Sequence, residues 1–405
     1  MFIFFVVLPD RLMYFLDCKK SNVLVAAPIE FHDIHIDIIR NTKYANIDEL
    51  FDCKNKLEIY TKSGLGCIYR SARLFAFPEY GELGQQRNRA GTKIKEIFSE
   101  FPELSRASTF LDLCGGPGAW SLFMLEIENI RGYGFTINTP DLCRRWYKDL
   151  EEDHSNYTVL NVTDTNDICA PEVRAELSKL SVDLVLADGA PPEDTYPDEN
   201  LQELYALHIL YSEVVTAMNV LQDKGNFVIK VFDSFTNATK SLIYLILYNF
   251  NKVFIFKPQT SRSVNSERYL VCLGYKRKAA ITTTVPLFQN ILDRWENGKI
   301  TGSLIPVHIL NADVKFSKTY EHYIKESSKK QVDALQRVIQ IMDDWTTNGN
   351  NKGKNAKKGQ KGGKSKSKEK NDSKGKSKYM KGKGKGGPGY HQYKGKGPPR
   401  NPDPY

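Results

Sequence analysis

Three charged residues sit where apolar strands should end cleanly. Asp188 closes "DLVLAD" (183–188), Lys230 interrupts "FVIKVF" (227–232), and Glu267 lies in "NSERY" (265–269). A charge in such a place is costly unless it is paired. Singly, each reads as a solvated strand end. Three of them on the rim of one sheet read instead as a paired cluster in one crevice. Two carboxylates and an amine can orient a reacting hydroxyl and take its proton. Lysine is ordinarily charged, with a pKa of about 10.4. Burial and a second cation lower that value, whereas neighbouring carboxylates raise it. A second signal is "FLDLCGGPGAW" (110–120), an apolar run that ends in a bare turn before a helical stretch. Strand, glycine-rich turn and helix let a backbone approach a nucleotide-like ligand at the carboxyl end of a sheet. The turn has neither the GxGxxG spacing of dinucleotide sites nor the GK[ST] of a P-loop.

These residues need a sheet to position them. Seven strands are predicted, at 108–114, 130–137, 157–162, 182–188, 225–232, 252–258 and 268–276. Helices are expected at 200–225, capped by Gly225, and at 237–250. Helices separate strands four, five and six, as parallel neighbours require. Only a loop joins strands six and seven, so the last strand should be antiparallel. The fold class is therefore α/β, with a mostly parallel seven-stranded sheet. Four zones follow: an N-terminal extension (1–80), the α/β core (81–278), a helical C-terminal extension (279–346) and a Lys/Gly-rich tail (347–405). "MFIFFVVL" (1–8) reads as a buried N-terminal strand rather than a signal core.

Charge is unevenly spread. Residues 351–405 hold 17 Lys and Arg400 against three acids, a net +15, so residues 1–350 carry −6 of the chain's +9. The tail has almost no aliphatic content and is expected to be disordered. Seven cysteines, an odd number with no CxxC pair, argue for reduced thiols in an intracellular compartment, nucleus or cytoplasm, with no metal site. No run reaches the roughly 20 apolar residues of a membrane span.

The blocks "NRAGTK" (88–93), "FLDLCGGPGAWS" (110–121), "DLVLADG" (183–189), "NLQEL" (200–204), "GNFVIKVFD" (225–233) and "FKPQTSRSVNSERYLVCLGYK" (256–276) occur in this order. Together they resemble the FtsJ-like (RrmJ-type) 2′-O-ribose methyltransferases, above all the mRNA cap-1 enzymes of eukaryotes and their viruses. "CKNKLEIY" (53–60) resembles, more loosely, the segment before the catalytic core of those enzymes. The resemblance implies a Rossmann-like fold and a Lys-Asp-Lys-Glu tetrad on Lys93, Asp188, Lys230 and Glu267. Lys95 lies two residues beyond Lys93, but the preceding Asn-Arg-Ala favours Lys93. It implies S-adenosylmethionine (SAM) as cofactor, held by Asp112, Gly115, Gly116, Pro117, Gly118, Trp120 and Asp188. The adenine-side acid is either replaced by Asn161 or shifted to Asp164. Capped mRNA is the implied partner, with other capping or transcription proteins as further ones. Lys230 is the candidate base. Arg262, Ser266 and Arg268 are expected to hold phosphate or sugar, and the tail to attract phosphates without regard to sequence. Two rivals stand beside this reading: a ribosomal or transfer RNA 2′-O-methyltransferase, and a non-catalytic RNA-binding factor.

Overall fold

Alternating apolar residues in the core strands build an eight-stranded sheet in the computed structural model. It describes residues 12–16, 31–32, 39, 42, 46–80, 88–139, 145–152, 154–192, 198–295, 299–300 and 302–358. The strands are β1 (Leu12–Leu16), β2 (Thr109–Leu113), β3 (Arg131–Phe135), β4 (Tyr157–Val159), β5 (Val182–Ala187), β6 (Leu221–Val231), β7 (Phe250–Lys257) and β8 (Arg268–Tyr275). Their order across the sheet is β1-β7-β8-β6-β5-β2-β3-β4. The pairs from β6 through β4 are all parallel. Strand β8 runs antiparallel between β6 and β7, as the short loop before it predicts.

The period-two pattern sorts side chains onto two faces. Leu111, Leu113, Val185, Ala187, Phe227 and Ile229 join one apolar core. Phe110, Leu184, Leu186 and Val228 join the other. Helices α1 (Ile47–Tyr60) and α2 (Gly66–Ala76) pack in the first core, through Leu50, Phe51 and Ala72. Helices α3 (Arg89–Glu100) and α4 (Ala119–Leu125) pack in the second, through Ile94, Ile97, Trp120 and Met124. The first core also takes α5 (Gln202–Val220), α6 (Asn237–Asn249) and α7 (Val285–Asp293). The long α8 (Val314–Lys358) joins it through Phe316, Tyr320, Leu335 and Met342. The extensions on both sides of the α/β core thus share its interior.

Four details differ from expectation. Helix α5 ends at Val220, and Leu221 already has extended backbone, so Gly225 lies within β6 and is no helix cap. The buried Val220 and Leu221 are both apolar, so composition hides the switch from helix to strand. Second, an eighth strand, β1, pairs antiparallel with β7 on the sheet edge. Its five apolar residues follow the Pro9-Asp10-Arg11 break; the stretch 1–8 lies outside the described residues. Third, the N-terminal extension supplies two helices where no elements were assigned. Fourth, α8 continues to Lys358, past the expected end at 346. The chain divides into two compact units, Met1–Trp345 and Thr346–Tyr405. The tail beyond 358 lies outside the described residues. Among the described residues, no helix is long and apolar enough to cross a membrane.

Candidate active site

The parallel strands aim their carboxyl ends at one crevice. Asp188 follows the last residue of β5, and Lys230 is the penultimate residue of β6. Because β8 is antiparallel, its first residues arrive at the same rim, and Glu267 stands just before it. Lys93 comes from α3. The side chain of Asn88 caps that helix by accepting from the backbone N–H of Ala90 and Gly91, the expected use of Asn at a helix start.

The four side chains form two ion pairs. Lys93 Nζ lies 2.6 Å from Glu267 Oε1. Lys230 Nζ lies 3.1 Å from Asp188 Oδ1 and donates to the Asp188 carbonyl at 2.7 Å. One phenol joins the pairs: Tyr269 Oη lies 2.9 Å from Glu267 Oε1 and 3.1 Å from Asp188 Oδ1. Lys93, Lys230 and Glu267 are each under a tenth exposed. Ion pairs this sheltered keep most of their strength in salt.

The glycine turn sits beside them, at the carboxyl end of β2 next to β5. Asp112 at the end of β2 is fully buried and accepts from Ser121 Oγ at 2.6 Å. A Cβ on Gly115 would stand 2.5 Å from the Asp112 carboxyl, so only glycine lets the turn pass. Gly118 has φ +106°, and a Cβ there would meet Leu150 Cδ1 at 2.1 Å. Gly115, Gly116 and Pro117 are part-exposed. Trp120 is 2% exposed, and its indole N–H donates to Ala90 O at 2.9 Å, tying α4 to α3. Asn161 accepts from Asn166 Nδ2 at 3.3 Å. Asp164 is exposed, and its carbonyl accepts from Asn138 Nδ2.

The trio expected to hold phosphate or sugar lies in and just before β8. Arg262, Ser266 and Arg268 are 7%, 4% and 2% exposed. Arg268 lies over the Tyr323 ring and donates to the Ser266 carbonyl. Ser266 Oγ reaches Gln202 Oε1 at 3.5 Å. Ser266 and Arg268 thus brace the loop before β8.

The family model for FtsJ-like methyltransferases matches residues 86–275. A cap-specific mRNA (nucleoside-2′-O-)-methyltransferase 1 of Trypanosoma cruzi is 34% identical over 310 residues, covering 69% of this chain and 83% of that protein. This chain belongs to the FtsJ-like methyltransferases. The cap-specific mRNA (nucleoside-2′-O-)-methyltransferase of Autographa californica nuclear polyhedrosis virus is 34% identical over 194 residues, 47% of this chain and 72% of that protein. A Caenorhabditis briggsae protein named an inactive cap-specific mRNA (nucleoside-2′-O-)-methyltransferase 1B is 28% identical over 244 residues, 56% of this chain and 29% of that protein.

In this FtsJ-like methyltransferase the electrostatics bias each group. Burial raises the Glu267 carboxyl, but Lys93, Lys230 and Lys257 outweigh it and bring it down to about 2. Burial lowers Lys230, yet Asp188, Glu267 and Glu213 more than offset this, and its proton affinity is raised. Asp112 is pushed up to about 7 by burial, against the hydrogen bond from Ser121.

Two functional residues escaped sequence reasoning. Tyr269 was hidden as one more aromatic in a strand, although its spacing of two from Glu267 is the strand signal for a shared face. Lys257 donates to Asn265 O, Asn265 Oδ1 and Glu267 O at 2.9–3.0 Å. It holds the loop that presents Glu267, and burial drives its proton affinity well below the ordinary lysine value.

Proposed function

We propose that this protein methylates the ribose 2′-hydroxyl of capped mRNA, with SAM as methyl donor. The observation that carries the reading is the pair of buried Lys–carboxylate contacts closed through Tyr269. The names of its relatives supply the cap. The site fits the donor: Asp112 Oδ1 is buried without a hydrogen-bond partner among the described residues, and the bare turn at Gly115 leaves room that a Cβ would take. Asp112, Asp188 and the turn from Gly115 to Gly118 would hold SAM, with Asn161 or Asp164 on the adenine side. The bound donor supplies an electrophilic methyl on a positively charged sulfur.

The chain's own residues do the rest. Lys230 faces the acceptor hydroxyl and takes its proton. Asp188 binds the Lys230 ammonium, so Asp188 shared with a cationic ligand holds that proton less tightly. Lys93, fixed by Glu267, holds the hydroxyl oxygen in line. Tyr269 keeps the two carboxylates at a fixed separation.

The test uses labelled SAM with capped and uncapped RNA of one sequence, for the natural protein and Lys230→Ala. Transfer to capped RNA alone is expected, lost in K230A, with SAM binding by calorimetry nearly unchanged. Equal transfer to both RNAs would favour a ribosomal or transfer RNA substrate. SAM binding without transfer would favour the non-catalytic reading, which the inactive relative's name keeps in view.

A further inference from the structure

One peptide group in the site is gripped from both sides. The carbonyl oxygen of Asp188 accepts from Lys230 Nζ at 2.7 Å. The N–H of the same peptide, on Gly189, donates to Glu213 Oε1 at 3.0 Å. Glu213 belongs to α5 and is 1% exposed. Its neighbours Val214, Val215 and Ala217 are wholly buried, so an apolar residue would be the rule there. Among the described residues it forms no ion pair within salt-bridge distance.

Glu213 cannot reach a substrate. The cavity beside it holds about 10 Å³ and is lined by Gly189, Glu203, Glu213, Lys230 and Thr239, among others. That is about the space of one water. Whatever Glu213 does for the reaction passes through the peptide it holds and through its direct attraction for Lys230. We infer that Glu213 is a positioning residue: it turns the Asp188–Gly189 peptide so that its carbonyl faces Lys230, and its charge state sets how tightly Lys230 keeps its proton. The inference rests on the methyltransferase reading and adds a residue to its machinery.

The physical link is polarisation along a hydrogen-bond chain in a low-dielectric interior. An ionised Glu213 draws on the Gly189 N–H and makes the Asp188 carbonyl oxygen more negative, which favours the Lys230 ammonium. A neutral Glu213 loosens that hold. Burial pushes the Glu213 carboxyl up to about 8, against the attraction of Lys230 and the hydrogen bonds from Cys114 and Gly189, with Asp188 adding to the rise. The groups that face it are Cys114 after β2, Asp188 after β5, Lys230 on β6 and, across the cavity, Glu203 of its own helix. Lys230 in turn also faces Glu267. The sign is that Glu213 ionises as pH rises through about 8 and then opposes loss of the Lys230 proton.

The experiment is methyl transfer as a function of pH, with SAM affinity measured on the same samples. Glu213→Gln keeps an oxygen for the Gly189 N–H and cannot ionise. Its ascending limb should move to lower pH, with SAM affinity within about twofold of the natural protein, or about 0.4 kcal/mol. Glu213→Ala removes the grip and should lose about 10²-fold in kcat, the scale of a small misplacement. If E213Q does not fold, Glu213→Asp draws the carboxyl back from Gly189 and should lose rate with the same shift of the limb. A limb that stays at its natural pH, or a SAM affinity that falls in step with kcat, would overturn the inference while leaving the methyltransferase reading intact. Absence of transfer by the natural protein would sink both.

Discussion

Lys230 and Tyr269 stand directly opposite each other in the antiparallel β6–β8 pair. Side chains opposite one another project from the same face of a sheet. The register therefore brings the ammonium and the phenol to one carboxylate, Asp188. Tyr269 extends the contact to Glu267 and so to Lys93. The phenol touches both carboxylates, and burial beside them drives its proton affinity well up, so it stays a donor.

Tyr269→Phe is the direct probe of that relationship. It removes one oxygen and keeps the ring against Trp120, whose centroid lies 5.5 Å away. Losing a shared hydrogen bond should cost about 1.4 kcal/mol, or about tenfold in kcat. SAM affinity, measured by calorimetry, should hold. A phenylalanine variant with the natural kcat would mean that the two ion pairs need no link.

The pH dependence of kcat/KM reports on the free enzyme. Lys230 has a raised proton affinity there, because Asp188 and Glu267 outweigh its burial. A base must be neutral to accept a proton, and the neutral fraction of a raised lysine grows as pH rises. Methyl transfer at low substrate should therefore climb from pH 7 to 9, by less than one log unit per pH unit where Glu213 ionises near pH 8. A flat profile across that range would show that another group takes the proton.

Much of this is legible in the sequence, for a physical reason. Charged residues at strand ends break an apolar pattern, so Asp188, Lys230 and Glu267 stood out singly. Their place on one rim already groups them; the sheet order adds that β8 threads between β6 and β7 and so delivers Glu267 there. Lys93 came from resemblance, because nothing in the helical pattern of 89–100 marks one lysine over another. That Arg268 is buried over the Tyr323 ring is invisible in local sequence, because a guanidinium can be buried in this way with no change of composition. Glu213 lay inside an apolar helix, where its hydrogen bond to Gly189 is invisible without the fold.

Lys54→Met tests how far the N-terminal helices support the site. Lys54 on α1 meets Asp233 at 2.9 Å, three residues beyond Lys230, and both are nearly fully buried. The second oxygen of Asp233 has no partner among the described residues. Removing the lysine strands a buried charge, and such breaks cost about 3–5 kcal/mol. A marked fall in Tm is expected, and the double variant Lys54→Met with Asp233→Leu should recover part of it. Additive losses in that cycle would show that the pair is not coupled.

The basic tail makes its own prediction, from charge alone. Residues 359–405 hold 13 lysines and Arg400 against Glu369, Asp372 and Asp403. If this segment tethers RNA by its phosphates, a protein ending at Lys358 should bind RNA more weakly and with a flatter salt dependence. Each phosphate contact on a single strand contributes a log–log slope of about −0.7, so six lost contacts would change the slope by about 4. The candidate site lies between Lys93 and Tyr269, well outside the removed segment, so turnover at saturating RNA should survive. The measurement is RNA affinity across a salt series for both proteins, with kcat at saturation beside it. Equal slopes would mean that the tail does not touch RNA, and a lost kcat would mean that it serves the reaction itself.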